Sequence, residues 1–153
     1  MIFRIYKDMP HTCHACLITC QDFRLHQRKD GRNYVGEFIK NFSIDCDLIT
    51  RAGGVLDLVR PAKDNHDHSV LRDTEVSAEL HKVETAYLLN HETCGAYGSM
   101  KFFSREEELK QHYADLHEAK EKILKNFPGV KVRMFFAEIE QGTTDVFAIK
   151  ELA

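Results

Sequence analysis

The run Ala15-Cys-Leu-Ile-Thr19 is short, continuous and almost wholly apolar, which is typical of a strand buried on both faces of a parallel sheet. Two comparable runs follow it, Cys46-Asp-Leu-Ile-Thr50 and Thr85-Ala-Tyr-Leu-Leu89. Helices are predicted between them at 34–42, where apolar residues recur with helical spacing, and at 70–83. Because helices join these three strands, we expect the strands to be parallel.

The C-terminal part of the sequence completes the predicted sheet. A capping box at Ser104 begins a long charged helix that we expect to run to about Asn126. A fourth strand is predicted at 131–140, and residues 145–150 can pair back on it as an antiparallel edge strand. The sequence therefore predicts a three-layer α/β fold, in which helices flank a sheet of about four parallel strands and one antiparallel C-terminal edge strand. We expect residues 1–153 to form a single domain.

The composition excludes several classes of protein. Hydrophobic residues make up 43% of the 153 residues and charged residues 29%, which excludes a disordered or collagen-like chain. With 21 Lys and Arg against 24 Asp and Glu, nucleic acid and anionic membranes are poor candidates for a partner. No run approaches the roughly 18 apolar residues that a membrane span needs, and the charged N-terminus does not resemble a secretory signal. We therefore expect a cytoplasmic protein with no nucleic-acid or membrane partner.

Five cysteines and nine histidines are the unusual feature of the composition. An odd number of cysteines without an export signal argues against a disulfide framework. Thiols near histidines in a reducing compartment are more often metal ligands or reactive groups. The positions of these residues relative to the predicted strands are therefore informative.

Three unusual segments each follow a predicted buried strand. They are Cys20-Gln-Asp-Phe-Arg24, Arg51-Ala-Gly-Gly54 and His91-Glu-Thr-Cys-Gly95. Open parallel sheets bind ligands at the carboxyl ends of their strands. We therefore expect the three segments to meet at one edge of the sheet, although they are far apart in the sequence.

The first and third segments supply two thiols and one imidazole, from Cys20, Cys94 and His91. Zn²⁺ prefers these donors, and three protein ligands leave its fourth position open for water. Asp22 lies close enough to Cys20 to orient such a water, and Arg24 could hold Asp22 by a charge-assisted pair. The alternatives are an ordinary buried cysteine at the end of a strand and an ion pair in a surface loop.

The second segment offers a different kind of group. Arg51 would supply a cation, and the backbone N–H groups at Gly53 and Gly54 would supply hydrogen-bond donors, so that together they could bind an anion. Equally, Arg51 could pair with an acidic residue in a loop, and the two glycines could form a plain turn.

A further cluster, His11-Thr-Cys-His-Ala-Cys16, also has the spacing of metal ligands. It precedes the first predicted strand and so lies at the opposite edge of the sheet. Four residues of about 3.3 Å each put Cys16 about 13 Å from Cys20, too far for the two to share one ion. We favour packing or a solvated turn over a second metal site here, and we interpret Cys46 as a core residue.

Taken together, the motifs resemble those of the β-class carbonic anhydrases. C-x-D-x-R, R-x-x-G and H-x-x-C-G follow three strands in this order, between Cys20 and Gly95, and the hairpin at 132–149 resembles the closing strands of that family. The resemblance implies one zinc ion bound by the two cysteines and the histidine, and attack of zinc hydroxide on CO₂ to give bicarbonate. It also implies that Asp22 and Arg24 form the family's catalytic pair, in which Asp22 orients the nucleophile.

The sequence departs from the family at several positions. Phe23 stands where the family usually has Ser, and Ala52 and Gly53 stand where it usually has Asn and Ala. Residues 1–14 leave no room for the helical N-terminal arm that embraces a partner subunit, so we expect a short member that lacks this arm. By resemblance we still expect a homodimer or higher homo-oligomer.

The departures keep two alternative functions open. One is a zinc-binding protein that no longer hydrates CO₂. The other is a hydrolase of a related small electrophile, such as carbonyl sulfide or carbon disulfide.

Overall fold

A computed structural model of the chain describes residues 11–153, apart from the Met100 side chain. The strands are Ala15–Cys20 (β1), Cys46–Arg51 (β2), Thr85–His91 (β3), Lys131–Ile139 (β4) and Phe147–Leu152 (β5). The α-helices are Tyr34–Asn41 (α1), Leu56–Val59 (α2), His66–Leu80 (α3) and Arg105–Asn126 (α4). Within the described range, no helix is long and apolar enough to cross a membrane.

The five strands form one sheet in the order β2-β1-β3-β4-β5. Strand β1 pairs in parallel with both β2 and β3, and β3 pairs in parallel with β4. Strand β5 pairs antiparallel with β4 at the edge. The predicted fold class, four parallel strands with an antiparallel C-terminal edge strand and flanking helices, is confirmed.

Side chains of the interior strand β1 enter two separate cores, because successive residues of a strand point to opposite faces. Leu17 packs in the core that contains Phe38 of α1, whereas Ile18 packs in the core that contains Val70 of α3 and Leu116 of α4. Every residue of β1 is buried. This two-sided burial explains why its sequence is a continuous apolar run.

Helix α3 differs from its prediction at both ends. It begins at His66 and ends at Leu80, whereas the sequence predicted 70–83. Its packing side chains begin only at Val70, so the polar first turn carries no apolar signal. The carboxylate of Asp67 in that turn favours the helix, since it faces the positive end of the helix dipole.

Two further points concern the predictions made from the sequence. Helix α2 is only four residues long and was not predicted, because so short a segment shows no periodicity. The expectation of a missing N-terminal arm concerns the start of the chain, where residues 1–10 lie outside the described residues.

We expect Leu88→Ala to lower the free energy of unfolding by about 2–5 kcal/mol, since it leaves a cavity where a wholly buried β3 side chain packs against α4 and β4. Leu80→Ala is the matched control, because Leu80 is 66% exposed and its loss should cost less than about 0.5 kcal/mol. Denaturant unfolding monitored by circular dichroism measures both. Equal losses would contradict the assigned core.

Candidate metal centre

The topology of the sheet brings two of the unusual segments together. From β1 the chain passes to β2 on one side, and from β2 it returns past β1 to β3 on the other side. Such a reversal opens a crevice at the carboxyl ends of the two strands between which it occurs. Cys20 is the last residue of β1, and His91 is the last residue of β3.

Cys20, His91 and Cys94 form a group that could hold a metal ion. All three residues are buried, and their ligand atoms lie within 4.8 Å of one another. The two sulfur atoms are 3.9 Å apart. The structure thus brings together the three residues that the sequence predicted as metal ligands.

The imidazole of His91 is oriented by its own backbone neighbour. Nδ1 lies 2.9 Å from the carbonyl oxygen of Glu92; a carbonyl can only accept, so Nδ1 carries the proton and Nε2 keeps its lone pair. Nε2 is buried and has no hydrogen-bond partner among the described residues. A buried nitrogen of this kind is costly unless something binds it, so the residues present fit a metal ion.

The two thiols lie within hydrogen-bond distance of each other. The hydrogen bond with Cys94 lowers the pKa of Cys20 against the opposing effect of burial, while the same hydrogen bond raises the pKa of Cys94. The N–H of Gly53 also donates to the Cys20 sulfur at 3.3 Å, which favours the thiolate. These contacts favour the thiolate form of Cys20, which is the form that binds a metal ion.

Asp22 and Arg24 form a forked ion pair beside this group. Arg24 donates from its backbone N–H and from Nε to Oδ1 of Asp22, at 2.9 and 3.0 Å, and from Nη2 to Oδ2 at 2.8 Å. Burial raises the pKa of Asp22, but these hydrogen bonds outweigh it and the net pKa is lowered. Oδ2 lies 3.7 Å from Nε2 of His91, so the carboxylate faces the metal group while it is held by Arg24.

Arg24 is itself fixed by two further segments. Nη1 donates to the hydroxyl of Thr93 at 3.0 Å and to the carbonyl of Thr144 at 2.8 Å, and Nη2 donates to the carbonyl of Thr93 at 3.1 Å. Thr93 has a φ of 58°, an uncommon conformation for a β-branched residue. Its backbone N–H donates to the carboxylate of Glu108 at 2.6 Å, so Glu108 supports this turn.

Sequence reasoning missed Thr93 and Glu108. Glu108 is only 4% exposed, and it lies on the same side of α4 as the buried His112, Leu116 and Ala119. This helical spacing from the apolar residues of α4 is the sequence feature that could have indicated its burial. In the sequence, however, it is one glutamate in a run of three.

A second buried side chain, Asn90, joins three other segments behind the metal group. Its Oδ1 accepts from the N–H of Val55 at 3.2 Å, and its Nδ2 donates to the hydroxyl of Tyr97 at 3.0 Å and to Nδ1 of His112 at 3.1 Å. A Cβ on Gly54 would lie 2.4 Å from Oδ1 of Asn90, and Gly54 has a φ of 61°. Glycine is therefore required at this position by close packing.

The remaining residues of the second segment have other contacts. Arg51 donates to the carboxylate of Asp57 at 2.7 Å and to the hydroxyl of Ser69 at 3.1 Å. Gly53 touches the metal group through its N–H. An anion-binding role for Arg51, Gly53 and Gly54 stays a prediction.

Comparison with known protein families supports the resemblance seen in the sequence. The sequence model of the family described as "Putative carbonic anhydrase" matches residues 10–146. An uncharacterised protein of Rickettsia bellii is 30% identical over 131 residues, which cover 81% of this chain and 76% of that protein.

Solved structures show the same fold. One, of tetrameric β-carbonic anhydrases from Sordaria macrospora, aligns with a TM-score of 0.61 at 14% identity and covers 99% of this chain and 85% of the other. A carbonic anhydrase from Glaciozyma antarctica aligns with a TM-score of 0.54 at 17% identity and covers 99% of this chain and 92% of the other. These identities are low, so the two likenesses concern the fold.

We expect Glu108→Ala to lower the free energy of unfolding by about 1.5–3 kcal/mol, because it removes a charged acceptor from the Thr93 N–H. Glu106→Ala is the matched control: Glu106 lies in the same first turn of α4 but is exposed. Both variants remove one carboxylate from the first turn of α4, so the difference between their free energies of unfolding, measured with denaturant, excludes the effect on the helix dipole. A loss in Glu108→Ala no larger than in Glu106→Ala would contradict the supporting role of Glu108.

Proposed function

We propose that this chain, which belongs to the "Putative carbonic anhydrase" family, is a zinc-dependent lyase that hydrates CO₂ to bicarbonate. The observation that carries the proposal is the buried group of Cys20, His91 and Cys94, with the Asp22 carboxylate held beside it. Four residues from two segments thus converge on one small volume.

The donor set favours zinc. Two sulfurs and one imidazole nitrogen are ligands that Zn²⁺ prefers, and a three-ligand site leaves one coordination position open. Zinc bound there supplies a nucleophile near neutral pH, since it lowers the pKa of water from about 15.7 towards about 7. Cys20, His91 and Cys94 would hold the ion.

The role we assign to Asp22 is to orient the attacking water. Its carboxylate has acceptor capacity left after its contacts with Arg24, and it faces Nε2 of His91 at 3.7 Å. By accepting a hydrogen bond from the water, it directs the oxygen lone pair towards CO₂. The charge-assisted fork from Arg24 opposes movement of Asp22 onto the metal itself.

An aromatic side chain borders this volume and suits an apolar substrate. The ring of Phe147 lies 5.9 Å from the His91 ring and 5.5 Å from the Arg24 guanidinium, measured to its centroid. Phe147 is buried and so keeps water from one side of the site. CO₂ is small and carries no charge, so an apolar surface suits it better than a charged binding group would.

Phe23 favours a second candidate function. It lies between Asp22 and Arg24 in the sequence and is 70% exposed, so a large apolar side chain replaces a small polar one next to the proposed catalytic pair. This departure favours an apolar electrophile such as carbonyl sulfide or carbon disulfide, or zinc binding without CO₂ hydration. Assays with each of the three substrates separate these functions.

We also propose that the chain forms a single domain and assembles as a cytoplasmic homodimer or higher homo-oligomer. The Sordaria macrospora proteins with this fold are tetrameric. Leu48, on the edge strand β2, and Phe23 are both large, apolar and exposed, and burial of either one by a second subunit would remove apolar surface from water.

We expect Cys94→Ser to lose about one bound zinc ion per chain and to reduce CO₂ hydration at least about 100-fold, because serine replaces a thiolate ligand. Cys46→Ser is the matched control, since Cys46 also lies on the sheet but is not part of the group. Stopped-flow hydration with a pH indicator and elemental analysis measure both effects. Full activity in Cys94→Ser would refute the proposed ligand set.

We expect Asp22→Asn to keep its zinc but to lower kcat about 100-fold, because an amide has one acceptor oxygen where the carboxylate has two, and so cannot both pair with Arg24 and orient the water. The matched control is Asp30→Asn, since Arg32 binds Asp30 through the same kinds of contact at the same spacing but at an exposed site. Stopped-flow CO₂ hydration compares the two variants. Equal activity in both would remove Asp22 from the mechanism.

A further inference from the structure

A second group of ligand-type side chains lies at the other end of β1. Cys13 precedes β1, Asp47 is on β2, and His81 follows the last residue of α3. Their ligand atoms lie within 4.8 Å of one another. We propose that Cys13, Asp47 and His81 bind a second zinc ion, independent of the Cys20 site.

Backbone and side-chain contacts tie the three segments together. The N–H of Cys13 donates to the carbonyl of His81 at 3.0 Å. Oδ2 of Asp47 accepts from the hydroxyl of Ser77 at 2.8 Å and lies 2.7 Å from Nδ1 of His81. These contacts hold the thiol, carboxylate and imidazole close together without a metal ion, so little ordering is needed to bind one.

The contacts leave metal-binding atoms free. Both contacts to Asp47 use Oδ2, and His81 makes its contact through Nδ1, so neither contact engages Oδ1 of Asp47 or Nε2 of His81. The side chains of Asp47 and His81 are 28% and 26% exposed. An ion from solution can therefore reach the group, and a water molecule can complete its coordination.

The donor chemistry selects the kind of ion. One sulfur, one nitrogen and one oxygen donor suit Zn²⁺, whereas Mg²⁺ and Ca²⁺ bind through oxygen. The His11 ring lies 4.7 Å from the His81 ring, centroid to centroid, which puts another imidazole next to the group. The His11–Cys16 segment, for which the sequence alone favoured packing or a solvated turn, thus contributes to a site that also needs β2 and α3.

The two sites do not compete for one ion. Strand β1 is six residues long, and a strand rises about 3.3 Å per residue, so the groups at its two ends are on the order of 20 Å apart. The second site has one thiol where the first has two, and it is less buried. We therefore expect it to bind zinc more weakly and to release it first to a chelator.

The test starts from the double variant Cys20→Ser/Cys94→Ser, which lacks the first site. The purified chain is stripped with a chelator, loaded with ZnCl₂, desalted and measured by elemental analysis. We expect about one zinc ion per chain to remain. No bound zinc in this variant, with a native circular dichroism spectrum, would overturn the proposal whether or not the chain hydrates CO₂.

Three further substitutions in this background identify the ligands. Cys13→Ser and His81→Gln should each lower the zinc content from about one ion to well below half an ion per chain. Cys46→Ser, which removes a neighbouring thiol outside the group, should leave it unchanged. Loss of zinc in Cys46→Ser equal to that in Cys13→Ser would overturn the ligand assignment.

A second measurement does not depend on whether the double variant folds. The otherwise unaltered chain should bind about two zinc ions, and Cys13→Ser alone should bind about one. Loading with Co²⁺ should give a thiolate-to-metal charge-transfer absorption in the near ultraviolet, part of which disappears in Cys13→Ser. An unchanged zinc content and an unchanged spectrum in Cys13→Ser would overturn the proposal.

Discussion

The parallel pairing of β1 with both of its neighbours is the constraint on which the rest of the structure depends. Ile18 of β1 lies opposite Ile49 of β2 on one side and Leu88 of β3 on the other. This register puts the carboxyl ends of three strands at one edge, so that segments far apart in the sequence meet there without long loops. A slip of one residue would turn Cys20 to the opposite face of the sheet, so the register of the apolar strands also fixes the chemistry of the site.

The turns beyond these strand ends need partners for their backbone groups, and buried polar side chains supply them. Asn90 accepts from the N–H of Val55, and Glu108 accepts from the N–H of Thr93. Each side chain has additional polar neighbours, so the loss of one leaves several buried groups unsatisfied. The long helix α4 thereby positions the turn between His91 and Cys94, although it contributes no ligand. Stability and site geometry are coupled through these two residues.

The sequence predicted the strands, and the convergence of Cys20, His91 and Cys94, because each has a local cause. Two-sided burial produces continuous apolar runs, and Cys20 and His91 directly end two of them. The support of Thr93 by Glu108 depends on how α4 docks, which no local pattern records. The segment Asp30-Gly-Arg32 shows the limit of motif reasoning, since it also forms an Asp–Arg pair at the spacing of Asp22-Phe-Arg24, with both guanidinium nitrogens on one oxygen of Asp30. Of these two pairs, Asp22 and Arg24 lie beside the group that could hold a metal ion, so the proposed role rests on their position in the fold and not on their spacing.

In the proposed zinc form, the Gly53 turn affects the chemistry of the ion. Two thiolates would offset the charge of Zn²⁺ and so weaken its effect on the pKa of bound water. The N–H of Gly53 donates to the Cys20 sulfur and withdraws electron density from it, which restores part of that effect. Gly53 has a φ of 81°, and a Cβ there would lie 2.7 Å from Cβ of Leu56. Glycine therefore permits the backbone to approach the sulfur, and in that zinc form the segment that the sequence associated with anion binding would act on the metal through the sulfur of Cys20.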